Sequence, residues 1–392
     1  MRPANAFVSF KCMNYICIVK LTLKIKLLPD KEKEKALLKT IEQFNSACNY
    51  ISGQAFKERK FNQVKLHHVV YYKVREDFKL PAQLTVRSIS KVADAYKLDK
   101  KIQREFRLRG AVTYDSRLLS YSGNNVSICT LNGREKMPFV CHRPDWLPYI
   151  KGEADLVFKK GKFYLLQTVE FPEEKVKDMD EFLGVDMGVV EIAALSTGDK
   201  VSSKWINEYR VKREKIRGSI QSKGTKGCKK LLKRLSGKER STATLINHTL
   251  SKRIVNQAKQ QNKGVAVEDL TYIRKSTEKK VRKKQRGLRS KWSFHQLRQF
   301  IAYKCAMQGV PFVAVPPAYT SQTCSCCNHI GLRNGKSFSC QNCGLIEDAD
   351  INAAINISTW GRVISRPEES NMFCSFVNHL SGSKPIRSLA GG

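Results

Sequence analysis

The sequence has no run of about 18 apolar residues, the length a bilayer-spanning helix needs, although 41% of its 392 residues are hydrophobic. It shows no signal-peptide pattern either: residues 12–28 are mildly apolar but are broken by Lys20, Lys24 and Lys26. The two absences leave no membrane partner to expect and predict an intracellular protein. Acidic residues are scarce, with 35 Asp and Glu against 71 Lys and Arg and a formal net charge of +36. Self-repulsion on that scale is tolerated most easily when the usual partner is a polyanion, and nucleic acid is the first candidate. A disulfide framework is also missing. The 13 cysteines are an odd number, four of them at knuckle spacing, which reads as metal ligation plus buried thiols. There is no internal repeat. The length leaves room for two or three domains with cores of their own.

What is present reads as several blocks. From Ile18, the residues Leu21, Leu23, Ile25 and Leu27 alternate with Lys20, Thr22, Lys24 and Lys26, a half-buried strand over 18–28. Pro29 ends it and Asp30 is suited to cap a helix beginning at the next residue. Leu37, Ile41, Phe44, Cys48 and Ile51 recur at helical spacing. A second helix is expected over 64–79, and a third, marked by Val86, Ile89, Val92 and Tyr96, to about Arg104. Residues 107–172 change to β-rich runs, with turn signals at Asn124-Asn125, Asn132-Gly133 and Lys160-Gly161. The simplest architecture joins these strands to the first one in a barrel, with the helices inserted.

After a linker at 172–181, the segment FLGVDMGVVEIAALSTG reads as strand, tight turn at Met187-Gly188, and strand. Residues 201–240 hold fourteen Lys and Arg against three Glu and read as helices, continued by Ile246, Leu250, Ile254 and Ala258. A short buried strand at 264–268 precedes a basic loop, 271–291, with ten Lys and Arg and one Glu. That loop is expected at nucleic acid or gating the site beside it; a merely solvated charge run is the bland alternative. Next come a helix over 292–308 and a strand over 311–315. Trp292, Phe294 and Tyr319 read as core residues, and 363–392 as a weakly ordered tail.

Two constellations carry chemistry. Cys324, Cys327, Cys340 and Cys343 form two C-x2-C pairs with twelve residues between them. Each pair makes a tight turn with two sulfurs on one side, and two such turns make a tetrahedral cage for structural Zn2+. Cys326 is surplus and could stand in for Cys327, at an atypical spacing. The second constellation is acidic. Asp186 follows Leu183 and Val185, Glu268 ends an apolar strand, and Asp350 lies four and seven residues before Ala354 and Ile357. Taken singly, each is most often a turn or cap residue. Together they are acids at strand ends and on a core-facing helix, costly unless paired or bound to cations. An oxygen-only set with no nearby His suits Mg2+ or Mn2+. The small alanines after Asp350 would let that helix pack closely on a sheet.

The blocks GVDMGV, VAVEDL, SFHQLRQFIAYKC, VPPAYTSQTCSCC and CGLIEDADINAAINI resemble those of the TnpB family, transposon-encoded RNA-guided DNA endonucleases related to the compact type V CRISPR effectors. The resemblance runs over roughly 18–362. It implies an α/β multidomain fold: an RNase H-like RuvC nuclease domain with an inserted zinc ribbon, plus an N-terminal wedge β-barrel interrupted by a helical recognition module. The implied divisions are an N-terminal extension, 1–17; the first barrel strand, 18–29; the helical module, 30–106; the rest of the barrel, 107–178; the RuvC-like domain, 179–320 and 346–362; the ribbon, 321–345; and the tail, 363–392. Asp186, Glu268 and Asp350 become the metal-binding catalytic triad, with Asp350 chosen over Asp348 because the family's acid precedes x-Asn-Ala. The implied partners are a guide RNA of the omega type and target double-stranded DNA, with one protein per guide RNA expected and a dimer left open. The implied setting is the prokaryotic cytoplasm, at the nucleoid. A nuclease-inactive RNA-guided repressor and a DNA transposase accessory protein are the alternatives.

Overall fold

The structure, a computed structural model, describes residues 18–172, 174–188, 191–202, 204–269, 294–317 and 319–366. The expected N-terminal extension, the basic loop 271–291, Trp292 and the tail beyond 366 lie outside them. The chain divides into two compact units, one of them Ile18–Phe171 and the other continuing from Pro172. Among the described residues no helix is long and apolar enough to cross a membrane.

In the first unit, β1 (Ile18–Leu27) buries Leu23, Ile25 and Leu27 and turns Lys20 and Lys24 outward, as its alternation requires. Asp30 caps α1 (Lys31–Lys57) by accepting from Lys33 N at 2.9 Å. Helices α2 (Gln63–Phe78) and α3 (Ala82–Leu98) complete the module, and Leu37, Ile41, Phe44, Cys48 and Ile51 are fully buried in it. The third helix is shorter than its pattern suggests. It stops at Leu98, where Asp99 takes extended backbone, and the chain beyond is held on α1: Ser52 Oγ donates to Arg104 O at 2.6 Å, and Asn49 bonds both the N–H and the carbonyl of Phe106.

The chain continues through strands β2 (Val112–Tyr114), β3 (Leu119–Ser122), β4 (Asn125–Thr130), β5 (Gly133–Cys141), β6 (Ile150–Lys159) and β7 (Lys162–Pro172). They form a seven-stranded, nearly closed barrel sheet ordered β2-β6-β7-β1-β5-β4-β3. The first strand therefore sits in the middle of a sheet whose other members lie beyond the helices, as the sequence led us to expect. Strand β5 and the 3-10 helix Pro144–Tyr149 lie between the β-rich runs that the sequence itself marks, 111–121, 125–132 and 153–171.

The second unit is built on a five-stranded sheet ordered β10-β9-β8-β11-β12. Strands β8 (Phe182–Asp186), β9 (Glu191–Leu195) and β10 (Lys200–Ser202) run antiparallel; β11 (Gly264–Glu268) and β12 (Phe312–Val315) run parallel to β8. Helix α4 (Lys204–Ser222) precedes α5 (Lys226–Gln260), and α5 packs with α6 (Phe294–Gln308): Leu250, Ile254, Val255, Leu297 and Ile301 form one core with Leu183, Val185, Val265 and Val267. Phe294 packs at its margin. The other face carries Phe182, Ala266 and Val315 against Ile357 and Trp360 of α7 (Ala349–Ser365). Both faces are covered, so β8 and β11 read as continuous apolar runs, not as alternation. Residues 363–365, expected in the tail, instead finish α7, since Val363 is buried on the same face as Trp360.

Helix α7 approaches β8 with nothing between the backbones. A Cβ on Gly184 would fall 1.9 Å from Ala354 O and 2.6 Å from Ser358 N, backbone atoms that cannot swing away. Gly184→Ala is expected to destabilise the chain by about 3 kcal/mol, the upper end of ordinary overpacking. Gly218→Ala, in α4 with no atom within 4 Å of the added carbon, should instead stabilise it by about 0.5–1 kcal/mol. Denaturant melts of the two variants check both signs.

Candidate functional site

The thiols come first in local structure. The knuckles are two copies of one turn. Asn328 N donates to Cys324 O, and Gly344 N to Cys340 O, each at 3.0 Å. Asn328 and Gly344 occupy the same place in their turns and both take left-handed backbone, at φ 61° and 75°, which only Gly and Asn adopt readily. The turns bring Cys324 Sγ to 3.6 Å from Cys343 Sγ and Cys327 Sγ to 3.5 Å from Cys340 Sγ, with all four sulfurs within 4.8 Å of one another. Zn–S bonds of about 2.3 Å in a tetrahedron put sulfurs about 3.8 Å apart, so the four thiols fit a metal with little movement. Cys326 is exposed and outside the cluster. The strands of this ribbon, β13 (Leu332–Asn334), β14 (Ser337–Ser339) and β15 (Ile346–Asp348), enclose only Cys324, Phe338, Cys340 and Ala349 as fully buried core. That is too small to hold the fold unaided.

The three singled-out acids are brought together. Val185 and Val267 are partners in the parallel β8–β11 register, so Asp186 and Glu268 leave adjacent strands side by side. Asp350 enters from the first turn of α7. Burial, then Glu268 and then Asp350, raise the Asp186 pKa far above the ordinary carboxylate value, partly offset by Arg333. Glu268, 8% exposed, is also raised by burial, against a hydrogen bond from Thr320 and the Arg333 charge. Asp348, the neighbour set aside in the sequence, has another task. It caps α7 by accepting from Asp350 N at 3.0 Å and Ile351 N at 3.3 Å, and pairs with Lys200 at 2.5 Å. Burial works to raise its pKa, but Lys200 and the two amides outweigh it and leave the carboxyl lowered.

Cations and donors that sequence reasoning missed complete the site. Arg333, on β13, holds Asp350 Oδ1 at 2.8 Å. Lys336 reaches Glu191 Oε1 at 2.7 Å. The Thr320 hydroxyl donates to Glu268 Oε1. A hairpin arginine and a lone threonine give no local pattern, so nothing in the sequence marks them. Among the described residues the thiols are the one set of ligating side chains gathered tightly enough to grip an ion as they stand. The three carboxylates are more widely spread, with Arg333 and Thr320 on two of them. Their all-oxygen chemistry nonetheless fits a hard divalent cation.

A basic α/β protein with buried or half-buried carboxylates on two adjacent strands and a helix, and a four-thiol ribbon between strand and helix, is the class that fold and site define. The family description "Cas12f1-like, TNB domain" matches residues 294–357. A TnpB-like protein of Methanocaldococcus jannaschii is 33% identical over 58% of this chain and 83% of its own length. A CRISPR-associated endodeoxyribonuclease Cas12f1 of Sulfoacidibacillus thermotolerans is 30% identical over 51% of this chain and 50% of its own. The putative RNA-guided DNA endonuclease InsQ of Escherichia coli K12 is 29% identical, over 52% and 55%. A cryo-EM structure of a Cas12f1–sgRNA–target DNA complex contains a chain with the same fold, TM-score 0.61 at 14% identity, over 87% of this chain and 99% of that one. The chain belongs to the TnpB family. It spans only about half the length of the Cas12f1 and InsQ relatives.

Two measurements test the site as built. Elemental analysis should find one zinc per chain in the wild type and in Cys326→Ser, and less than half of that in Cys343→Ser, with a lowered Tm. The second concerns Asp186. A carboxyl whose pKa is raised by folding favours the folded state fully below the unfolded value of about 4, and that favour is lost as pH rises through the folded value. Zinc-loaded, magnesium-free chain should therefore lose stability toward alkaline pH, and Asp186→Asn should lose less. At pH 8 the variant is expected to melt roughly 2–4 °C higher, the shift that about 1 kcal/mol makes in a unit of this size. Parallel profiles for the two proteins would mean that the carboxylates do not crowd one another.

Proposed function

We propose that this chain is an RNA-guided DNA endonuclease that hydrolyses phosphodiesters in one RuvC-type site. The observation that carries the reading is the meeting of Asp186, Glu268 and Asp350, two on adjacent parallel strands and one at a helix start. Three carboxylates gathered in a protein of charge +36 make sense as a cation site facing a polyanion. The relatives' printed names support the same activity.

In this reading residues 18–29 and 107–178 are a wedge barrel, 30–106 a helical recognition module, 179–320 and 346–362 an RNase H-like RuvC domain, and 321–345 a zinc ribbon. Asp186, Glu268 and Asp350 hold Mg2+ or Mn2+; Cys324, Cys327, Cys340 and Cys343 hold Zn2+. Two divalent ions held by the three carboxylates would supply a water nucleophile at neutral pH and charge neutralisation at the leaving oxygen. The chain's own residues place that chemistry: the β8–β11 pair fixes two acids, α7 the third, and Arg333 lends a guanidinium beside them. Lysines and arginines elsewhere bind guide RNA and DNA phosphates, while base pairing carries sequence specificity. All three acids are present, which favours cleavage over a silent DNA-binding repressor. A transposase accessory role would need the same site, and dependence on a bound RNA separates it.

Purified with RNA from the end of its element, the protein should linearise, in Mg2+, plasmids that carry a guide match beside one short motif from a randomised library. Asp186→Ala should lower that rate by about a thousandfold or more, given the several kcal/mol such a metal site contributes. Guide-dependent binding without a cut in either protein would turn the reading to the repressor. Absence of bound RNA would sink both.

A further inference from the structure

Two polar side chains of the segment after β12 and two on α7 are almost wholly buried: Thr320 at 1%, Thr323 at 2%, Asn352 at 0% and Asn356 at 2% exposure. Burial of this kind is retained only with full hydrogen bonding, and the partners here are specific. Asn356 Nδ2 donates to Thr320 O at 2.9 Å and Thr323 O at 2.7 Å. Asn352 Nδ2 donates to the same Thr323 O at 2.8 Å, while its Oδ1 accepts from Ser325 N at 2.9 Å. One helix face thus grips the backbone of residues 320–325.

That segment has two ends with different chemistry. Thr320 donates its hydroxyl proton to Glu268 Oε1. Cys324 belongs to the thiol cluster. The helix is tied to the ribbon at its start as well. Ala349 N donates to Lys336 O at 2.8 Å, and the Ala349 side chain is fully buried with Cys324, Phe338 and Cys340. Asp350 is the next residue. Two of the three carboxylates are therefore connected to the sulfur cage by short paths of hydrogen bonds and packing, while Asp186 is set by the sheet.

We propose that Thr320, Asn352 and Asn356 are positioning residues that transmit the ribbon's metal-held geometry to Glu268 and Asp350, so that the thiol site sets the affinity of the carboxylate site for its cation. This rests on the nuclease reading, in which the carboxylates bind metal. Second-layer hydrogen bonds of this sort typically change metal affinity 10–100-fold.

The test separates a hydrogen-bonding role from a packing role by a crossed pair at Thr320. Val keeps the shape and removes the donor; Ser keeps the donor and removes the methyl group. Mn2+ is the probe, titrated into zinc-loaded full-length chain free of nucleic acid, with unbound Mn2+ read by electron paramagnetic resonance. Asp186→Asn defines binding elsewhere. Thr320→Val is expected to weaken the Asp186-dependent binding about tenfold while keeping one zinc per chain, and Thr320→Ser to stay within about twofold of wild type. Cys343→Ser, with the thiol site broken, should weaken Mn2+ at least as much as Thr320→Val. Asn356→Ala is the less informative variant, since unfolding would mimic its effect. A Val variant that binds like wild type, or a Ser variant weaker than Val, overturns the positioning role and leaves the nuclease reading standing. Absence of Asp186-dependent Mn2+ in wild type overturns both.

Discussion

The contact between α7 and β8 governs the second unit, because it converts two regular repeats into one coincidence. Ser358 Oγ donates to Phe182 O, and Ala354 lies against Gly184. The helix therefore runs antiparallel to the strand, advancing four residues for every two. Four helical residues rise about 6 Å and two strand residues about 6.6 Å, so the match carries on. One turn before Ala354 is Asp350; two strand positions after Gly184 is Asp186. A larger residue at 184 would lift the helix off the sheet and take Asp350 with it. Gly361 repeats the device further along, where an added Cβ would meet Ala266 Cβ at 2.6 Å.

Closeness of that kind forces carboxylates together, and the chain's large positive charge does not relieve them. At physiological salt, exposed charges more than about 8 Å away are largely screened, so only near cations count. Arg333 and Lys336 come from the ribbon, and Lys200 from β10. Among the described residues, Lys200 and Lys336 pair with Asp348 and Glu191, Lys336 also acting on Asp350, while Arg333 is the counter-charge felt by Asp186 and Glu268 and paired with Asp350. Among the described residues the three carboxylates outnumber the cations that act on them, and the set is under-neutralised. Burial first, and at Asp186 the neighbouring carboxylates after it, hold the pKa values of Asp186 and Glu268 up, and a divalent cation would favour their ionised forms.

Much of this was legible in the sequence, for reasons that differ by residue. Strand β1 showed its alternation because one side faces a core and the other carries lysines. Helix α1 showed its period for the same reason. Strand β5 did not: only Met137 of its nine residues is fully buried, and Pro138 argues against a strand within a sheet. The end of α3 was misread because the chain past Asp99 leaves the helix and is held against α1 by Asn49 and Ser52, bonds across about fifty residues that no local period records. Asp186, Glu268 and Asp350 were legible as acids where apolar runs end. Arg333 and Thr320 were not, since their partners lie 17 and 52 residues away and no local period records such a bond. Asn352 and Asn356 did leave a mark: two carboxamides four apart on an apolar helix face, which a buried polar role explains better than chance.

The position of the ribbon is set by the same geometry. The chain must leave β12 at one edge of the sheet and return as α7 across the middle, with its first turn at the carboxylates. An unstructured connection would make that return imprecise, because a long flexible loop closes with many nearly equal paths. A ribbon closed by four sulfurs has few. It delivers the α7 cap, Asp348, fastened to Lys200, and leaves Asp350 in the next turn with nowhere else to go. The element with the least apolar core in the unit thus defines the position of a charged group that tolerates little error. A metal can do this where a small hydrophobic core cannot, because coordination is directional and burial is not.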